Sequence, residues 1–115
     1  MSVLLVGAGG LAGVLARYGL GVAVQSIWTV AAINLAGSFA LGLLVHVGAG
    51  WPHEVRNGIG AGFLGGFTTF STLTVQIVLE ADGGRPGVAA LYGAVTVLGG
   101  LAAALAGYLL GRALA

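Results

Sequence analysis

Charge constrains this chain more than any other feature, because it is nearly absent and appears only at intervals. Of 115 residues four are Arg, none is Lys and three are acidic. Residues 2–16 carry no charged side chain, and then Arg17 interrupts. Tyr18 to His53 adds 36 residues without Asp, Glu, Lys or Arg, Asn57 to Leu79 a further 23, and Pro86 to Gly111 another 26. A helix needs about 20 predominantly apolar residues to cross the hydrocarbon of a bilayer. The 36-residue stretch can finish one span, turn near Gln25-Ser26 and hold a second. The spacing predicts an all-α integral membrane protein with four transmembrane helices, at roughly 3–23, 28–49, 57–80 and 87–112. The loops at 53–56 and 81–85 leave no room for an extramembrane domain, so residues 1–115 form a single transmembrane domain.

Composition excludes the soluble alternatives. Only 6% of residues are charged against 58% hydrophobic, where soluble domains carry about 25% charge. Seven charges cannot cover the surface of a water-soluble globule. A net charge of +1 without lysine leaves no basic patch, so no nucleic-acid partner is expected. There is no cysteine for a disulfide, a nucleophilic thiolate or a thiolate metal site. Met1-Ser2 lacks the basic start of a signal peptide, and the first apolar segment reads as an uncleaved helix.

Arginine normally accumulates on the cytoplasmic side. With four spans, Arg17 and Arg85 lie toward one membrane face and Arg56 and Arg112 toward the other. Two against two gives no orientation signal. Either a fixed topology is hidden by small numbers, or the chain inserts both ways and assembles as an antiparallel dimer. Four helices make a thin bundle that can hardly enclose a polar pathway alone. Glycine recurs every fourth residue at 9 and 13, with Arg17 and Gly21 in register, and at 58, 62 and 66. Gly93, Gly100 and Gly107 recur every seventh. Small residues on one face let helices approach closely in lipid, and packing explains this pattern.

Polar groups in hydrocarbon need a partner or a function. Asn34, Ser38, Gly42 and His46 form one stripe on the second span, with His46 interfacial near its end. Tyr92 and Thr96 are spaced i, i+4 on the fourth. The third span holds the densest cluster, from Gly65-Gly66 through Thr68, Thr69, Ser71, Thr72 and Thr74 to Gln76. Paired glycines followed by hydroxyl residues are poor helix sequence. A break near residues 65–70 is therefore expected, and is tolerated at midplane only where protein or water satisfies the freed backbone. A glycine kink with hydroxyls bonded to i−4 carbonyls is the plainer alternative. No acid lies within the first, second or fourth span. Amide, hydroxyl and positive aromatic ring edges suit a small anion better than a cation.

Three motifs then carry a resemblance over essentially the whole chain. They are Gly9-Gly10-Leu11-Ala12-Gly13 leading to Arg17-Tyr18, Asn34-Leu35-Ala36-Gly37-Ser38-Phe39, and Gly62-Phe63-Leu64-Gly65-Gly66-Phe67-Thr68-Thr69-Phe70-Ser71-Thr72. Together they resemble the CrcB/Fluc family of fluoride channels. The resemblance implies an antiparallel dual-topology dimer in the cell's inner (plasma) membrane, with two fluoride pathways. It also implies a central structural sodium ion held by the backbone carbonyls of Gly65 and Thr68. Asn34 would donate to fluoride, Phe70 would present its ring edge, and Ser71, Thr72, Tyr92 and Thr96 would continue the pathway. Arg17 would attract anions at a vestibule.

Two positions depart from the family pattern. Leu73 stands where a second Phe is usual, and Gln76 where a Glu is usual. The chain either conducts through a simplified pathway as a homodimer, or forms a heterodimer with a homologous subunit that supplies the intact one. The expected function is a passive, fluoride-selective leak in the lipid bilayer and not an enzyme. HF enters cells uncharged and ionises, and the membrane potential then expels the anion. A small multidrug-type exporter shares the size and topology but depends on a first-helix Glu that is missing here. A non-conducting membrane subunit is the third possibility.

Overall fold

The computed structural model describes residues 1–115. Four helical spans account for nearly all of them, each long and apolar enough to cross a membrane. α1 runs Ser2–Ala23 and α2 runs Ile27–Val47. The third span begins as α3, His53–Asn57, winds more widely as a π-helical segment over Gly58–Leu64, and closes its first half with α4, Gly65–Phe67. Thr68 is extended (φ −86°, ψ 157°), and helix resumes as α5, Ser71–Asp82. The last span, α6, is Pro86–Leu114.

The segment 53–56, expected as a loop, is helical. Pro52 precedes it as N-cap at φ −54°, and Glu54 lies in the first turn, where a carboxylate favours the helix dipole. The polar residues there mark the membrane boundary without breaking the helix. The true turn between α5 and α6 is tight. Gly84 takes φ +82°, a conformation glycine adopts without steric cost. Pro86 then starts α6, where its missing N–H deprives no helical partner.

Two close pairs of helices build the bundle. α1 crosses the first half of the third span with backbone against backbone. A Cβ placed on Gly13 would fall on the Phe63 carbonyl, and one on Gly9 would fall on that of Gly58. In the reverse direction, Gly62 faces Val6 and Gly66 faces Gly10. α2 and α6 interlock in the same way. Gly42 abuts the Ala104 carbonyl, and Gly107 abuts that of Phe39. The small buried core is Ala31, Leu73 and Tyr92, joined by Ile27, Val30 and Ile77. The bundle is about 49 Å long but only 20 Å through its thinnest direction, which is roughly two helix diameters.

Candidate functional site

The polar residues gather around the gap between α4 and α5. Asn34, from the middle of α2, reaches across it and bonds the Thr69 backbone twice. Its Nδ2 donates to the Thr69 carbonyl, and the Thr69 N–H donates to Oδ1, both at 2.9 Å. An uninterrupted helix would send that N–H to the Gly65 carbonyl. The next diversion follows the same logic. Thr72 N–H, whose helical partner would be the Thr68 carbonyl, donates to Thr69 Oγ1 at 3.4 Å. Side chains have thus taken the N–H groups that would have covered the carbonyls of Gly65 and Thr68.

The carbonyl of Gly66 is occupied as well. Arg17 Nε donates to the Gly66 carbonyl at 3.2 Å. Thr68 Oγ1 donates to the Leu64 carbonyl at 3.0 Å, and its methyl fits beside Gly37, where any Cβ would displace it. A gap of this kind needs such partners, because an unpaired backbone group costs several kcal/mol in hydrocarbon.

Two grooves flank the gap. The first, about 370 Å³, is walled by α2, the third span and α6, and holds Asn34, Ser38, Thr68, Thr69, Phe70 and Thr96 among apolar neighbours. Thr96 is buried, and its hydroxyl oxygen has no hydrogen-bond partner. Asn34 has one amide hydrogen left after its bond to Thr69. The groove contains neutral donors and no carboxylate. Phe70 is 73% exposed, so its ring projects away from the bundle. Gly65 is exposed as well, with only the Gly60 carbonyl oxygen near its Cβ direction, at 3.6 Å. The second groove lies toward the α1–α2 turn and contains Arg17, Gln25, Ser26, Thr29, Thr69, Thr72 and Gln76.

The expected pathway residues do not all converge. Asn34, Phe70 and Thr96 share the first groove, while Arg17 and Thr72 lie in the second. Ser71 is exposed at the start of α5 and lines neither. Tyr92 is fully buried and also lines neither. Its ring meets Trp28 edge-on at 5.7 Å, and its hydroxyl donates to Gln76 Oε1 at 2.6 Å. Thr69 is the residue that spacing did not single out. It touches both grooves, pairs with Asn34 and accepts the Thr72 N–H in the first turn of α5. Its signal in the sequence is its membership of the third-span hydroxyl cluster, directly after the Gly-Gly-Phe-Thr run.

Residues 4–108 match the family model described as CrcB-like protein, Camphor Resistance (CrcB). The chain belongs to the CrcB family. Curated relatives in this family include "Fluoride-specific ion channel FluC 1" of Bacillus anthracis, 40% identical over 117 residues, covering 94% of this chain and 85% of the relative. "Fluoride-specific ion channel FluC" of Thermus thermophilus is 40% identical over 119 residues, covering 96% and 95%. "Fluoride-specific ion channel FluC 2" of Moorella thermoacetica is 40% identical over 116 residues, covering 95% of each chain.

Within this CrcB-family protein the two departures have structural roles. Leu73 is 3% exposed, sits in the core beside Ala31 and Tyr92, and forms part of the first groove's apolar floor. Gln76 gives Tyr92 an acceptor that is neutral.

Proposed function

We propose that this protein is a passive, fluoride-selective channel of the cell's inner membrane that lets fluoride leave the cytoplasm. The observation that carries the proposal is the first groove. It holds the spare amide hydrogen of Asn34, the unpartnered hydroxyl of Thr96 and no carboxylate, beside an aromatic ring that leaves its own protomer. A small, strongly hydrated anion needs donors to replace its water. The names of the relatives from B. anthracis, T. thermophilus and M. thermoacetica support fluoride as that anion.

The working unit is an antiparallel dimer. A single bundle about 20 Å thick leaves its grooves open along the side and its Phe70 ring unpacked. A second copy, inverted in the membrane, closes both grooves and yields two equivalent pathways. The equal division of arginines between the membrane faces permits both orientations. Numbered relatives, FluC 1 and FluC 2, support a variant in which a homologous subunit replaces the second copy. Leu73 favours that variant, because it supplies no ring edge.

A structural sodium ion fits the donor set at the gap. The carbonyls of Gly65 and Thr68 have lost their helical partners, and Gly65 is exposed where a partner protomer would approach. Bound there, the ion would supply positive charge at the midplane and join the protomers. Asn34 and Thr69 hold those two carbonyls clear of the helix. A ligand that binds only the assembled form stabilises it by mass action. Replacing sodium with a large organic cation is expected to shift a detergent-solubilised dimer toward monomer.

Fluoride efflux from liposomes containing the purified protein, with chloride as the control, tests the proposal. Efflux of fluoride without chloride is the expected result. Absence of both, restored by a co-reconstituted homologue, selects the heterodimer. Absence of both under every pairing defeats the channel.

A further inference from the structure

The first groove does not end at Ser38. Along α2 its floor steps through 34, 38 and 41, and along the third span through 68 and 64. A furrow of about 350 Å³ continues both series, through Leu41 and Val45 on one side and Gly60, Ala61 and Arg56 on the other. The two share Leu41, and the steps of three and four residues keep the α2 side of both on one face. This furrow reaches the membrane face opposite to the one nearest Arg17.

Arg56 at its end is a cation without a counterion. The only ion pair in the protein joins Arg85 to Glu80, at the far face. The Arg56 guanidinium lies at 3.0 Å through Nη2 from His53 Nδ1, a group that carries no negative charge. Glu54, the one acid nearby, lies in a separate groove against α1. Asn57, the other polar residue in the furrow, is exposed and uncharged.

We propose that Arg56 is a second anion-collecting residue, which draws fluoride into the mouth of the Asn34 groove from the face opposite to Arg17. In an antiparallel dimer each face would then carry Arg17 from one protomer and Arg56 from the other. The stretch between Arg56 and Ser38 is apolar, so the guanidinium acts on arrival of the anion and not on its binding. This inference rests on the channel function proposed above.

Initial fluoride efflux at fixed fluoride concentration, from zwitterionic vesicles, measures it. An inert salt sets the ionic strength. Screening extends to roughly 30 Å at 0.01 M but only about 3 Å at 1 M, so steering by one charge disappears at high salt. Arg56→Gln is expected to slow efflux about threefold at low salt and to match wild type at high salt, with Arg56→Lys restoring the rate. Asn57→Asp, at an exposed site, leaves the guanidinium in place but neutralises it, and is expected to slow efflux similarly. Equal rates for wild type and both neutralising variants at low salt overturn the proposal. So does a loss that persists at high salt and is not rescued by Lys. An effect confined to vesicles containing anionic phospholipid also overturns it, since Arg56 would then serve a lipid headgroup. A wild-type protein that passes no fluoride defeats the channel function itself, and Arg56 with it.

Discussion

Asn34 has a structural task that is separate from its proposed role toward an ion. Its two bonds to Thr69 keep the α4–α5 gap open, so substitutions there change structure and pathway together. Asn34→Asp retains the acceptor for Thr69 N–H but sets a carboxylate oxygen against the Thr69 carbonyl. It also adds a charge that repels the anion. Like charges ~4 Å apart cost about 4 kcal/mol at an effective dielectric of 20, roughly a thousandfold in rate. Fluoride efflux should therefore vanish, while thermal unfolding in detergent should show a loss of about 1–3 kcal/mol, the cost of a buried polar group left without its partner. Thr96 offers the contrasting case. Its hydroxyl has no partner to lose, so Thr96→Val should leave stability unchanged or slightly raised. Efflux through that variant should fall several-fold if the hydroxyl serves the ion, and an undiminished rate would remove Thr96 from the pathway.

At the scale of helices, glycine packing within the bundle and the proposed glycine contact between protomers can be distinguished by one pair of variants. Gly13 lies against the Phe63 carbonyl within a single protomer. Gly13→Val should force α1 away from the third span, at about 1–3 kcal/mol for overpacking, and should lower the melting temperature of monomer and dimer alike. A Cβ on Gly65 would meet only the Gly60 carbonyl oxygen, at a van der Waals distance of 3.6 Å. A valine there meets no closer obstacle within the bundle than that carbonyl, so the monomer should remain folded while the proposed dimer weakens. Size-exclusion chromatography with light scattering reads the difference. A Gly65→Val protein that stays dimeric would separate Gly65 from the interface. The π-helical winding over Gly58–Leu64 belongs to the same picture. Three buried glycines at 58, 60 and 62 leave room for α1 and α2 to press in on that segment.

For the whole molecule, the decisive property is thinness. A bundle about 20 Å deep with Phe70 and most of its large apolar side chains exposed buries them in lipid or in another protomer. Phe70, Gly65 and the open side of the first groove bear on the second choice. If the dimer is antiparallel, a cysteine added at the C-terminus should react with impermeant reagents from both sides of the membrane. Labelling from one side alone would sink the dual topology and leave a parallel or monomeric arrangement.

Charge spacing and hydropathy by themselves determined that this chain crosses a bilayer four times, because lipid excludes charge over any stretch of about 20 residues. The glycine spacing likewise indicated close helix contacts, since only small residues permit them in lipid. The weak point of the third span was legible as Gly-Gly followed by hydroxyls, though the non-helical backbone falls at 68–70 and Gly65 itself lies in α4. That position was decided by Asn34, 35 residues away, whose amide reaches Thr69 and no other residue. The division of the polar residues was decided in the same way. Tyr92 and Thr96 are one turn apart on α6, yet Tyr92 turns into the core toward Gln76 while Thr96 faces the groove. Spacing along a helix places residues on a face, but the neighbouring helices decide whether that face is packed or open.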